Sequence, residues 1–317
     1  MLPSFQLGVS KYWLIFYIFV YSVIFTGSIV GNQLVIWSFI IESKLRRPTN
    51  FFIVSLAVTD FLTGLIAVPL GTVARLFTGT KVCLASVRSF YYIATFVFGS
   101  ITICHLLLIT IDRYIAVSQP LKYRNILTKR RCKILITIAW ITGSLFGTLP
   151  YSSVPPEPNL WVCGVTNDRT AGVGIQKLTS AAIIPLTLLL LSLCYVRIFS
   201  IARKHVEETA RLQNLDVDAS TRLKMMQTTV TTAIILGVFS ICWLPSTAKF
   251  FIEIYIETTD KQLFVIQTTA EVLVYGNSMM DPIIYGYRND LFRLTYKRIF
   301  HRLCHCFQSN TTSGTKK

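Results

Sequence analysis

Seven separate runs of about twenty or more mostly apolar residues constrain this chain more than any other feature it has. They lie near 13–41, 50–75, 86–117, 133–151, 178–202, 226–256 and 263–286. At ~1.5 Å per helical residue, each is long enough to cross the ~30 Å hydrocarbon layer of a bilayer. A soluble bundle of buried helices would need outer helices with a polar face, and few of these runs have one. Composition points the same way, with 52% hydrophobic and 15% charged residues in 317. The expected fold class is an all-α membrane protein, a seven-transmembrane-helix bundle.

Basic residues beside the spans set the orientation. The first connection carries "SKLRRPTN", the third "KYRNILTKRRCK", the fifth "RKHVEETARLQNLDVDASTRLK" and the tail "YRNDLFRLTYKRIFHRLCHC", whereas the alternate connections are poor in Lys and Arg. This places the N-terminus outside the cell and the tail in the cytoplasm, a multi-pass plasma-membrane topology. Most of the formal charge of +16 then faces the anionic inner leaflet, and no nucleic-acid partner is implied. No cleavable signal peptide is evident, so span one is expected to act as its own insertion signal.

Cys83 and Cys163 fall in outside loops, where disulfides form, and are expected to be bonded. Cys104, Cys194 and Cys242 lie in spans as small apolar residues, and Cys132, Cys304 and Cys306 lie on the cytoplasmic side. No Cys/His cluster has metal spacing, and "CHC" at 304–306 suggests palmitoylation more than zinc.

Six short motifs then appear one per span and in order: Gly31–Asn32, "LAVTD" at Leu56–Asp60, "DRY" at Asp112–Tyr114, Trp140, "CWLP" at Cys242–Pro245 and "DPIIY" at Asp281–Tyr285. Together they resemble the rhodopsin-like, class A G-protein-coupled receptors, from span one to the helix after span seven. The subfamily stays unresolved, loosely amine-like or adenosine-like. The resemblance implies a receptor, not an enzyme, that binds an extracellular small-molecule or peptide ligand among the outer halves of its helices. Its cytoplasmic partners would be a heterotrimeric G protein, with arrestin and a receptor kinase, and its surroundings membrane lipids.

An Arg at the edge of an apolar span is costly unless it pairs or snorkels, and Asp112 offers Arg113 a local partner. In the family, this Arg leaves its local pair when the cytoplasmic ends separate, and it then meets the G protein. The resemblance makes Asp112, Arg113, Tyr114, Leu121, Tyr195 and Tyr285 the coupling and switch residues. Where many relatives place an acid across from the Arg, twenty residues before Pro245, this chain has Met225 with Arg222 and Lys224 nearby. That cross-helix lock is expected to be absent, and the resting state to lean toward activity. Pro185 lies ten residues before Tyr195 instead of eight, which requires either a displaced proline or a bulge. Cys83 lies thirty residues before Arg113, five more than usual, read as a longer loop before Arg88.

Asp60 has no charged neighbour in its span, and intramembrane carboxylates are functional by default. The family's register sets Thr102, Asn277, Ser278 and Asp281 around it, with Asn32. This all-oxygen set suits a hard cation, implied by resemblance to be an allosteric sodium ion; a hydrogen-bonded water network is the alternative. No other cofactor is expected.

Register further implies a ligand pocket of Thr95, Phe96, Gly99, Trp243, Ser246, Thr247, Phe250, Glu271 and Tyr275. Thr95 stands where amine receptors place an Asp, no Lys in span seven is available for a retinal Schiff base, and Phe250 replaces the Asn that adenosine receptors use. Glu271 shares a face with Tyr275. It either serves as a counter-ion or snorkels to the outer surface, the latter being favoured.

Apolar Leu291, Phe292, Ile299, Phe300 and Leu303 interleave with Arg293, Lys297, Arg298 and Arg302 after span seven, which predicts an interfacial amphipathic helix. Cys304 and Cys306 are the expected lipidation sites. The organisation is therefore an extracellular 1–12, a receptor domain at 13–286, a membrane-surface helix at 287–306 and a cytoplasmic tail at 307–317. A transporter or channel would show a hydropathy repeat, paired broken helices or a charged pore ring. A membrane enzyme would need a catalytic cluster, and His105 in span three is read as a packed core residue.

Overall fold

The computed structural model describes residues 11–76, 85–152, 184–211, 216–256 and 259–313, with Ala182. Within them run α1 (Lys11–Ile41), α2 (Pro48–Leu76), α3 (Ala85–Ser118), α4 (Lys129–Ser152), α5 (Ile184–Arg211), α6 (Asp216–Tyr255), α7 (Asp260–Arg288) and α8 (Asp290–Ser313). A single helical turn at Tyr123–Ile126 links α3 to α4. Six of the helices, α1 to α6, contain stretches long and apolar enough to span a bilayer. The seventh, α7, is 29 residues long and carries Gln267, Glu271, Asn277 and Asp281, which lower its apolar content.

α3 runs through the middle and touches α2, α4, α5 and α6, while α1 closes the bundle against α2 and α7. We call the end where α1 begins the head end and the end where α8 leaves the tail end. The side chains are distributed opposite to those of a soluble bundle. Ile134, Ile138, Ile141 and Leu145 of α4, and Leu186, Leu189, Leu190 and Leu193 of α5, point outward, while Asn32, Asp60, His105, Asn277 and Asp281 are buried. Lipid is the solvent such a surface requires, because helices satisfy their backbone groups internally and need only apolar side chains outside.

Proline and asparagine explain how α1 grips α7. Pro282 lies inside α7 and has no N–H, so the carbonyl of Ser278, four residues earlier, loses its helical donor. Asn32 Nδ2 donates to that carbonyl at 2.8 Å and to the Ser28 carbonyl at 2.9 Å. Gly31 permits the approach, since a Cβ there would lie 2.9 Å from the Pro282 ring.

α2 contains a π-helical stretch, Thr63–Ala67, directly after Asp60. An extra residue in a turn rotates everything beyond it by roughly one residue's arc, about 100°. Beyond this stretch Arg75 is buried inside the bundle. Pro185 lies in α5, and Ala182, three residues before it, is π-helical.

α8 starts on Asn289, whose Oδ1 accepts from the backbone N–H groups of Leu291 (3.1 Å) and Phe292 (3.4 Å). Phe292 and Ile299 are buried, Leu294 and Phe300 are exposed, and Arg298 reaches Glu42 at 3.0 Å. The side chains of Cys304 and Cys306 lie outside the described residues, as do Cys83 and Cys163 altogether.

Candidate functional site

At the tail end, Arg113 is only 4% exposed, and its partners account for that burial. Its Nε donates to Asp112 Oδ2 at 2.9 Å, its Nη2 donates to the same oxygen, and Nη2 also donates to Thr49 Oγ1 of α2 at 2.7 Å. Asp112 Oδ1 accepts from the Tyr123 hydroxyl at 2.6 Å, and that hydroxyl lies 2.7 Å from Thr49 Oγ1. Burial, and then the Asp112 carboxylate, push the Tyr123 phenol above its ordinary range, so it remains a donor at physiological pH. The result is a closed four-residue ring spanning α2, α3 and the α3–α4 turn. Sequence reasoning found Asp112 and Arg113 but missed Thr49 and Tyr123, since neither residue type distinguishes itself without the packing.

Tyr195 is buried on α5 with Thr110 and Thr232 beside its hydroxyl. Tyr285 is buried on α7 and tilted against Phe292, with ring centres 5.9 Å apart. Tyr114 is half exposed, and Leu121, in the α3–α4 connection, is 95% exposed. Met225 lies on α6, but its side chain is outside the described set.

Halfway along the bundle, Ser278 Oγ donates to Asp60 Oδ1 at 2.7 Å, and the Asp281 carboxyl faces that of Asp60. Asp60 Oδ2, Asp281 Oδ1, Asn277 Oδ1 and Asn32 Oδ1 are buried without a hydrogen-bond partner. Two carboxyls facing each other in a sealed site need one positive charge between them, a proton or a cation. Four orphaned oxygens beside the Ser278 and Thr102 hydroxyls fit a hard cation by donor type.

Above this lies a cavity of about 20 Å³, lined by Thr63, Thr95, Gly99, Thr102, Trp243, Tyr275, Asn277 and Ser278 among others. It has room for about one water, whereas a drug-sized ligand needs several hundred cubic ångströms. The floor is sealed by two contacts. Thr95 Oγ1 and the Tyr275 hydroxyl are 2.7 Å apart, and a Cβ on Gly99 would meet Trp243 at 2.8 Å. Thr95, Gly99, Trp243 and Tyr275 are thus brought together around one cavity. Phe96, half-buried, does not line it. Ser246 and Thr247 do not line it either, and the Thr247 hydroxyl donates to Leu244 O of its own helix at 2.8 Å. Phe250's side chain is outside the described set. Thr63, Phe98, Phe239 and Val274 complete the lining and were not anticipated.

Glu271 corrects the sequence reading. It neither snorkels to the surface nor stands as an open counter-ion. It forms an ion pair with Arg75 of α2, with side-chain exposures of 13% and 6%, and accepts from Arg75 Nε at 3.0 Å and also from Nη2. Gln267 Nε2 (3.3 Å) and the Tyr21 hydroxyl (3.4 Å) also donate to it. The physical reason is the π-helical stretch of α2, which turns Arg75 inward; nothing in the local sequence of Glu271 foretells it.

His105 is fully buried but well partnered. Its Nδ1 is 2.8 Å from Ile101 O, an acceptor, so Nδ1 carries the proton. Nε2 then accepts from Ser55 Oγ at 2.7 Å, and Ser55 accepts from Trp140 Nε1 at 3.0 Å. Ser55→Ala orphans both a ring nitrogen and an indole N–H, a loss of about 2–4 kcal/mol. It should lower the melting temperature of purified protein by several degrees, read by thiol-reactive dye fluorescence. Ser55→Thr, which keeps the hydroxyl, should restore most of it.

Comparison with known proteins extends these local findings to the whole chain. The profile of the 7 transmembrane receptor (rhodopsin family) matches residues 31–285. Adenosine receptor A2b of Rattus norvegicus is 29% identical over 315 residues, covering 91% of this chain and 90% of that receptor. Adenosine receptor A2b of Homo sapiens is 28% identical over 315 residues, covering 90% of each. Adenosine receptor A2a of Canis lupus familiaris is 31% identical over 292 residues, covering 86% of this chain and 69% of that receptor.

Proposed function

The chain belongs to the rhodopsin family of seven-transmembrane receptors, and from that premise we propose that it binds a ligand at its head end, facing outside the cell, and activates a heterotrimeric G protein at its tail end. One observation carries this reading. Arg113, a strong cation, is buried at the tail end and hydrogen-bonded to Asp112 of its own helix and Thr49 of α2. On the α5 side Tyr195 acts on it electrostatically, so α5 can separate from Arg113 without breaking the hydrogen bonds to Asp112 and Thr49. Separation opens a cleft with a guanidinium at its base and Leu121 at its rim, a surface suited to the apolar and carbonyl-bearing end of a partner helix. The Lys and Arg excess of the tail-side connections supports a cytoplasmic tail end. Arrestin and a receptor kinase are the further partners that follow, and a plasma-membrane location with them.

The ring of Asp60, Asn277, Ser278, Asp281 and Asn32 oxygens supports a second part of the proposal, an allosteric sodium ion favouring the resting state. Thr102 closes the set from α3. When bound, the ion supplies charge balance for Asp60 and Asp281; the chain's own groups supply the cage and exclude water. Sodium replacing a bulky organic cation at fixed ionic strength should then lower ligand-free G-protein exchange several-fold, and Asp60→Asn should abolish that dependence. An unchanged response in the native receptor leaves a water network in the cage instead.

Adenosine is the first ligand the relatives' names bring to test. Phe250, standing where adenosine receptors use an Asn, weighs against it and leaves the ligand's chemistry to the head-end residues.

A further inference from the structure

Gln33 carries an amide on the lipid-facing side of α1, and that placement is costly. It follows Asn32, which bonds the Ser278 carbonyl, and Ser278 bonds Asp60, so Gln33 sits halfway along the bundle. It is exposed, with no hydrogen bond to any described residue. Ile41, where α1 ends, lies about 12 Å further along the axis at ~1.5 Å per residue, beyond the reach of a glutamine side chain. Snorkelling to water is therefore closed to it. A hydroxyl on such a surface satisfies itself by donating to the carbonyl four residues earlier, as Ser22, Thr137, Ser200 and Thr269 do. A primary amide has two donor hydrogens and an acceptor oxygen, and hydrocarbon offers it nothing.

The neighbours of Gln33 on this face form a seam. Val23, Thr26, Val30, Gln33, Trp37 and Ile40 are all exposed, and they follow one another at alternating steps of three and four residues. That is the ~3.5-residue repeat that winds two helices left-handedly about each other. Thr26, one heptad before Gln33, holds the same seam position and also has no hydrogen bond to a described residue. Val23, Thr26 and Val30 are small enough for close approach of a second helix. The packing of α1 on α2, α7 and α8 leaves this side of it open.

The occupant that fits is a second copy of the chain. Across a two-fold axis along the bundle, each seam residue faces its own counterpart. Gln33 then meets Gln33, and each amide donates to the other's carbonyl oxygen, because an amide is its own complement. The same axis gives Thr26 its counterpart's hydroxyl. A lipid carries its polar groups at the interface, too far from mid-bundle to serve, whereas a second copy brings an amide to the same depth. We propose that two copies of this receptor pair through α1, with Gln33 and Thr26 bonded across the seam.

The test uses purified full-length receptor with donor or acceptor fluorescent proteins fused to the tail, in palmitoyl-oleoyl phosphatidylcholine vesicles over a range of receptor-to-lipid ratios. No other protein is present, so energy transfer reports pairing of like chains. Gln33→Leu, which keeps the shape and suits the lipid face, should leave the receptor folded and raise the dissociation constant roughly tenfold, the effect of losing two reciprocal interhelical amide bonds. Oxidation of Val30→Cys, one turn before Gln33 on the seam, should trap a dimer above the native background, and adding Gln33→Leu should remove most of it. A receptor that stays monomeric at every ratio, equal pairing in native and Gln33→Leu receptors, or pairing that leaves Val30→Cys without added cross-link overturns the proposal. None of these readouts uses a ligand or a G protein, so they stand whatever the outcome for Arg113.

Discussion

Arg113→Ala is expected to reduce ligand-free nucleotide exchange on the coupled G protein to the rate seen without receptor, while receptor abundance and binding at the head end stay unchanged. The substitution removes a buried cation whose described partners all lie at the tail end. No described head-end residue bonds to it. Asp112 is then left with Tyr123 and Thr49, which still donate to its carboxylate, so the fold keeps a satisfied site. The loss falls on the active state, where the guanidinium would meet partner carbonyls with charge-assisted bonds worth about 1.5–3 kcal/mol each. Two such bonds correspond to a hundredfold or more in exchange rate at about 1.4 kcal/mol per decade. Radioactive GTP-analogue uptake at matched surface expression is the measurement.

Asp112→Asn should move the same readout the other way. The amide cannot balance the charge of Arg113, and it weakens two guanidinium bonds and the Tyr123 bond at once. If the resting conformation is favoured by a few kcal/mol, losing about 1.5–3 kcal/mol raises the active population roughly tenfold to a hundredfold. Tyr123→Phe removes one hydroxyl donor and should give a smaller rise of a few fold. Met225→Glu, which supplies an acid on α6, should lower exchange. Its effect should be smaller than that of Asp112→Asn because Asp112 and Thr49 already restrain the guanidinium. The sequence alone suggested an unlocked Arg113; the structure gives it a restraint from α2 and the α3–α4 turn, which the search for an acid on α6 could not find.

The fold was legible because its two signals are strong and periodic. Long apolar runs fix the helices, and motifs such as Gly31–Asn32 and Asp281–Tyr285 have a mechanical meaning, the freed Ser278 carbonyl filled by Asn32. Asp60, Ser278 and Asp281 were legible for the same reason, since a carboxylate in a span needs oxygen or charge nearby. Arg75 and Glu271 were not. They are 196 residues apart, Arg75 sits at the end of an apolar run where a long cation ordinarily snorkels, and its inward turn depends on the π-helical stretch Thr63–Ala67. Hydroxyl partners such as Thr49, Ser55 and Tyr123 were invisible for another reason: Ser, Thr and Tyr occur throughout the chain, and only packing decides which of them bonds a buried charge or ring.

The claim that Arg113 is a restrained coupling switch is tested most directly by one series. Native, Asp112→Asn and Arg113→Ala receptors are reconstituted in lipid nanodiscs at equal amounts, and ligand-free nucleotide exchange is measured on a panel of heterotrimeric G proteins. The account predicts that for at least one heterotrimer exchange is fastest with Asp112→Asn, intermediate with the native chain and at background with Arg113→Ala. Equal rates for all three receptors on every heterotrimer, with each receptor folded, would contradict it.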